Sequence, residues 1–216
     1  MKPKIFTRLY WIKGIIIPSI ITIFSITLSI QLNIWYEKYK QQAEINEFLS
    51  DLRTDLKKDL TSINIQRAHS GKTVKKYNIL ANITKRQIDS LKRVHGSLSV
   101  PIVKIFRKTN TGSYEGFKSS GKIGSIKDKK LKILILQYYQ EVSPLVENIE
   151  SLLNTQTTEA LETISQYNFS KRSFLKDSGK QRIMYIASVL ENLLADYEVM
   201  ATQAHFIINE IDKQVK

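Results

Sequence analysis

Apolar positions follow two patterns along this chain: one unbroken run near the N-terminus, and three- and four-residue steps almost everywhere after it. The run covers Gly14 to Tyr36, 23 consecutive residues without a formal charge. At about 1.5 Å of rise per residue, a helix of that length crosses a hydrocarbon core of about 30 Å with some tilt to spare. Tyr10 and Trp11 precede it and Trp35 and Tyr36 close it, where amphipathic rings settle at the two membrane interfaces. The pattern therefore predicts a transmembrane helix over 14–36. Thr22, Ser25 and Ser29 form a small polar stripe within it. These hydroxyls either pack against another membrane helix or bond their own backbone.

Beyond Tyr36 the 3.6-residue period predicts an all-α domain over 37–216: an antiparallel bundle of about four long helices, the first continuing from the span. Ile45, Leu49, Leu52, Leu56, Leu60 and Ile63 mark the first. Ser70 and Gly71 predict its end, and a second helix from about Thr73 to Val94 turns Val74, Tyr77, Leu80, Ile88 and Leu91 inward. Between Gly96 and Gly112 the period lapses into a loop, within which Val100 to Phe106 has strand character but no visible partner. A short helix over Ser113 to Ser120 follows, then a Gly121 to Gly124 turn and a long helix from about Lys127 through Leu153. Pro144 removes a backbone donor there and predicts a kink or interruption, with Thr155 to Ile164 beyond a break. Residues 166–180 read as a connection. Ile183, Ile186, Leu190, Leu193, Tyr197, Met200, Ala204, Ile207 and Ile211 then form a heptad seam, for packing within the bundle or for a homo-oligomer through 183–211.

Charge fixes an orientation. Lys2, Lys4, Arg8 and Lys13 stand ahead of the span with no acid, which keeps the 1–13 tail cytoplasmic and sends the C-terminal domain outside. No small-residue cleavage site precedes the charged segment, so the span stays as an uncleaved anchor. The other 29 basic residues face 20 acidic ones, for a net +9 on the soluble part. Asp51, Asp55 and Asp59, interleaved with Arg53, Lys57 and Lys58, read as a solvated face. The chain has no cysteine, which excludes disulfides, thiolate nucleophiles and Cys-based metal sites.

The remaining motifs bring no chemistry. Gly116 to Lys122 spells G-x-x-x-x-G-K, but Ile123 replaces the hydroxyl residue that would hold magnesium, and no strand leads in. His69, His95 and His205 lack partners at ligand spacing, so neither metal nor cofactor is expected. No serine sits in a nucleophile elbow, and no enzyme activity is expected. The basic cluster of Lys122, Lys127, Lys129, Lys130 and Lys132 suits a solvated helix start or an anionic surface polymer, not nucleic acid, in a domain turned outward. Asn82-Ile83-Thr84 and Asn168-Phe169-Ser170 match the glycosylation triplet, which carries meaning only in a eukaryotic secretory pathway.

Two stretches resemble a known family. Gln31-Leu32-Asn33-Ile34-Trp35-Tyr36-Glu37 is similar to the Q-I-N-N-W-N-E signature of small Bacteroidota membrane proteins catalogued as a domain of unknown function. Tyr114-Glu115-Gly116-Phe117-Lys118-Ser119-Ser120-Gly121 is similar to that family's Y-E-x-L-K-S-S-G, followed as there by Ile126, Leu131 and Tyr138-Tyr139. Ile34 and Tyr36 depart from the signature's asparagines. The resemblance implies a single-pass envelope protein of a Gram-negative bacterium, anchored in the inner membrane with its C-terminal domain periplasmic. It transfers no activity.

Function is thus expected to lie in protein interaction or scaffolding, with the lipid bilayer and another envelope protein as partners. A ligand-sensing bundle is the alternative, and with a 13-residue tail it signals only through a membrane partner. Within Tyr114 to Gly121 the structural reading has Ser113 capping the short helix, Tyr114 and Phe117 inward, and Gly121 ending it left-handed. The functional reading turns Glu115 and Lys118 outward as a contact pair.

Overall fold

The computed structural model describes residue 14 and residues 16–95, 103–166 and 177–214, and side chains 91, 92, 95 and 161–179 lie outside the description. Tyr10, Trp11, the 1–13 tail and Asn168-Phe169-Ser170 likewise fall outside it. Among the described residues the chain is helical with no strand. In order come α1 (Ile17–Ala81), α2 (Lys85–His95), α3 (Gly112–Ser119), a 3-10 turn (Lys122–Ser125), α4 (Lys129–Gln137), a π turn (Tyr138–Val142), α5 (Ser143–Gln166) and α6 (Asp177–Gln214). Two compact units divide it, Met1–Glu47 and Phe48–Lys216.

In the first unit, α1 has the length and composition to cross a membrane, and nothing in its apolar stretch is buried. Its hydroxyls turn back on the helix: Thr22 donates to the Pro18 carbonyl at 2.9 Å, Ser25 to Ile21 at 2.8 Å and Ser29 to Ser25 at 2.8 Å. That satisfies each polar group without a neighbour. Trp35 and Tyr36 are exposed, and Trp35 stacks on Tyr39 with ring centroids 6.0 Å apart.

In the second unit α1 does not end at Gly71. Leu60, Ile63, Ser70, Val74, Tyr77 and Leu80 carry the buried stripe across it, and α6 packs antiparallel along the same length. Arg53 pairs with Asp212 at 2.6 Å, Arg67 with Glu198, and Asn78 donates to Glu191 at 3.0 Å. One helical glycine costs about 1 kcal/mol, which packing on this scale outweighs. The real break follows Ala81, where Thr84 and Gln87 form a reciprocal capping box that starts α2. Ile83 and Ile88 occupy the hydrophobic staple positions, both buried.

Pro144 does not interrupt its helix either. The chain stays helical from Lys129 to Gln166, and a π turn just before the proline takes up the misfit, with the Ser143 N–H bonded to the Tyr138 carbonyl five residues back. One extra residue in a turn shifts the helix phase by one. Buried positions show the shift: Leu131, Ile135 and Tyr138 lie in one phase, and Tyr139, Ser143, Val146, Glu150, Leu153, Thr157 and Ala160 in the next. Both neighbouring tyrosines are thereby buried. The break expected after Leu153 is absent, because this stripe continues through it.

The seam from Ile183 to Ile211 is buried at all nine positions. It faces α5, where Tyr197 donates to Glu150 at 2.6 Å and Arg182 pairs with Glu159 at 3.7 Å, and α4, where Lys130 meets Glu210 at 3.2 Å. Gly71 has open space where a Cβ would stand. Gly71→Ala is accordingly expected to raise the unfolding free energy by about 0.5–1 kcal/mol. Urea denaturation followed by circular dichroism measures it, and a loss of stability would mean that the helix needs glycine there.

Candidate functional site

Residues 103–111 form an extended strap without regular structure, yet its inward side is buried: Val103, Ile105 and Thr109 point in while Lys104, Phe106 and Lys108 are exposed. An extended buried segment needs partners for its backbone, and among the described residues no strand is beside it. Side chains of the helices supply them. Asn154 of α5 accepts from the Ile105 N–H and donates to the Ile105 carbonyl, both at 2.9 Å. Glu147 accepts from the Thr109 N–H at 3.0 Å, and Asp59 of α1 from the Asn110 N–H at 2.9 Å. The strap descends as α5 ascends, so residues 105, 107 and 109 meet 154, 150 and 147 in turn.

Charged groups gather where the strap crosses. Arg107 and Glu150 pair at 2.7 Å with side chains 2% and 5% exposed. Glu150 also takes the Tyr197 hydroxyl, and the Arg107 guanidinium lies 5.8 Å from the centre of the Tyr197 ring. Burial works against the charge on Arg107, but the hydrogen bond and charge of Glu150 outweigh it and hold the guanidinium ionised. Thr109 is 2.5 Å from Ser143 and accepts from Arg107 Nη1 at 3.1 Å.

Asp59 is 0% exposed, contrary to the solvated face expected of it. It accepts from the Asn110 side chain at 2.6 Å and from the Tyr138 hydroxyl at 3.0 Å, besides the Asn110 N–H. Burial raises its pKa above the ordinary 3.8, opposed by those bonds and by the charge of Arg107. Burial also pushes up the Tyr138, Tyr139 and Tyr197 hydroxyls, and that of Tyr77 to about 12. Among the described residues, Arg107 Nη2 and the Tyr139 hydroxyl have no protein hydrogen-bond partner. The acid–lysine alternation misled because the buried face of α1 is wide: Leu52, Leu56 and Ile63 form its centre and Asp55 and Asp59 its edge, which the strap covers.

The Tyr114 to Gly121 stretch joins this cluster. Ser113 lies inside α3, which starts after Thr111 without a side-chain cap, and its hydroxyl donates instead to Asp55 at 2.5 Å. Tyr114 stacks on Tyr139 with centroids 4.5 Å apart and accepts from Gln140 at 2.7 Å, and Phe117 stacks on Phe48 at 3.8 Å. Ser119 and Ser120 bond the carbonyls of Gly116 and Phe117, and Gly121 comes next with φ of 72°. The run is a helix C-terminus tied off on itself: the amides of Ser120 and Gly121 are spent on the Gly116 and Lys118 carbonyls and cradle no phosphate. Glu115 and Lys118 are exposed and 3.9 Å apart, with the Lys118 amine 5.5 Å from the centre of the Tyr114 ring.

Among the described residues no three His, Asp or Glu side chains converge as metal ligands. An open groove of about 430 Å³ lies on the outer side of the strap, lined by Lys104, Phe106, Asn154, Thr155, Thr158 and Glu159. The buried cluster acts as a clamp on the strap: its charges are matched to one another and to the strap backbone.

Residues 18–194 match the family of unknown function DUF6090, and the chain belongs to that family. No curated protein and no solved structure matches it.

Because folding favours the neutral form of Asp59, its contribution is full below pH 3.8 and is lost as pH rises through the higher folded-state value. Asp59→Asn removes that titration. The melting temperature of the natural chain relative to this variant is expected to fall as pH rises from about 4 towards 7. A relative gain over that range would show that the cluster favours the carboxylate.

Proposed function

We propose that this chain is a membrane-anchored interaction or scaffold protein of a bacterial cell envelope. A single span over 14–36 holds residues 37–216 as a helical bundle on the periplasmic side of the inner membrane, with the N-terminal tail in the cytoplasm. The observation that carries the reading is the change in α1 from an apolar stretch with no buried residue to a stripe buried at Leu49, Leu52 and Leu56. Isoleucines left uncovered along such a stretch are costly in water and favourable in lipid. The basic residues at 2, 4, 8 and 13 support the orientation.

Support for interaction rather than catalysis comes from the clamp, in which Arg107, Glu150 and Tyr197, and Asp59 and Tyr138, are engaged with one another beneath the surface. The side offered outward at α3 is the Glu115 and Lys118 pair, on a helix fixed by two aromatic stacks. Ligand sensing through a membrane partner is the second reading, favoured by the groove beside Lys104 and Phe106, since the same strap leads from it to Arg107.

A reporter that matures only outside the cytoplasm, fused after Lys216, is expected to be active, and a cytoplasmic reporter there to be silent. The reverse result removes the anchor orientation.

The contact pair has its own test. Replacing Glu115 and Lys118 together by Ala is expected to leave the melting temperature unchanged, since both are exposed, and to abolish an in-cell cross-link to the envelope partner. A retained cross-link moves the contact elsewhere, and a lowered melting temperature makes the pair structural.

A further inference from the structure

Between Asp59 and Asp89 the chain has no acid, while Arg67, Lys72, Lys75, Lys76, Lys85 and Arg86 are all basic. The neighbouring α6 answers little of this charge. Its Glu198 takes Arg67, and its Glu191 accepts from Asn78. Lys72, Lys75, Lys76, Lys85 and Arg86 are exposed and meet no carboxylate among the described residues.

The lysines of α1 stand in an ordered strip. Ile65, Ala68, Lys72, Lys75 and Ile79 follow one another at alternating three- and four-residue steps, the spacing of a seam between helices. All are exposed, both isoleucines at 67%. The strip lies about 200° around α1 from the buried stripe of Ile63, Ser70 and Tyr77, so packing within the bundle does not account for it.

We propose that this strip is the docking face for an acidic amphipathic helix of another protein. Charge complementarity sets the sign of the partner, and the interleaved apolar positions set its form. From Ile65 to Ile79 the strip is about 21 Å long, which matches about four turns of a second helix. Apolar side chains of that helix rest on Ile65, Ala68, Ile79 and the methylene stems of Lys72 and Lys75, while its flanking carboxylates reach the ammonium groups of both lysines and of Lys76. Other anionic partners fit less well. Single-stranded nucleic acids are held by basic charge together with aromatic rings for stacking, and this strip has no aromatic residue. A helix lying in a membrane interface keeps its large apolar side chains and its lysines on opposite faces, whereas here they share one line. The strip is separate from the Glu115 and Lys118 pair on α3 and goes beyond the contact proposed there, so the two stand or fall independently.

The test uses the full chain in mild detergent and a fluorescent synthetic helix of about four heptads with leucine at a and d and glutamate at e and g, whose own charges keep it from pairing with itself at about pH 7. Anisotropy is expected to report binding whose dissociation constant rises at least tenfold between about 0.05 and 0.5 M salt. A peptide of the same composition in shuffled order is expected to bind at least tenfold more weakly. Lys72→Glu with Lys75→Glu is expected to weaken the acidic helix at least tenfold and to gain binding of a matching helix with lysine at e and g. Ile65→Ser with Ile79→Ser, which leaves the charge alone, is expected to weaken the acidic helix at least tenfold as well. All four side chains reach solvent, so an unchanged melting temperature is the folding control, and the shuffled peptide tests the natural chain without any substitution. No binding of the acidic helix, or binding unmoved by the lysine exchange, would overturn the inference. Equal binding of the shuffled peptide, or indifference to the isoleucine pair, would make the strip a face for any polyanion and overturn it too.

Discussion

A strap of extended chain buried between helices has nowhere to send its backbone hydrogen bonds except to side chains. That constraint accounts for most of what is unusual in this domain. An unpaired buried amide or carbonyl costs about 1–3 kcal/mol, and the strap has several. Asn154 matches an amide's own donor and acceptor to the Ile105 peptide as a neighbouring strand would. Glu147 and Asp59 do the same with carboxylates. Carboxylates brought into a core need compensation in turn. Arg107 meets Glu150, and Asp59 draws on Asn110, on Tyr138 and on a raised pKa.

Much of the helical frame was legible in the sequence, because long periodic stripes leave little choice. The Ile183 to Ile211 seam, the inward Tyr114 and Phe117, and the left-handed Gly121 all come from local rules. Other signals were present but outvoted. Thr84-Lys85-Arg86-Gln87 is a capping box, and the slip between Leu131-Ile135-Tyr138 and Tyr139-Ser143-Val146 is the mark of one inserted residue. Gly71 and Pro144 point the other way, since they are poor helix residues. The structure keeps both because the cost of each is small beside a stripe that packs on either side of it.

The clamp itself could not be read from spacing. Asp51, Asp55 and Asp59 share one pattern with their neighbouring lysines, yet Asp51 is exposed and Asp59 fully buried. What separates them is contact with residues about 50 positions later, in a stretch whose own composition says only loop. The strand-like alternation of Val103, Ile105, Arg107 and Thr109 was the visible half of the signal. Its partners were hidden because a helix side chain, unlike a strand, leaves no periodic trace of pairing with a backbone.

Buried ionisable groups are a poor route to stability, since an apolar cluster of the same volume is often as good or better. Their value lies in register. An apolar strap of alternating Val, Ile and Thr could slide by two residues and bury much the same surface, whereas Arg107 reaches Glu150 and Asn110 reaches Asp59 in one register only. Fixing the strap also fixes the helix that continues from it. Ser113 then meets Asp55, Tyr114 meets Tyr139, and α3 is set down with Glu115 and Lys118 outward. Exposed side chains on a helix held in this way carry less ordering cost into any contact than side chains on a loose loop. The buried polar network and the exposed pair are in that sense one device, joined by a few residues of chain whose own sequence pattern shows neither.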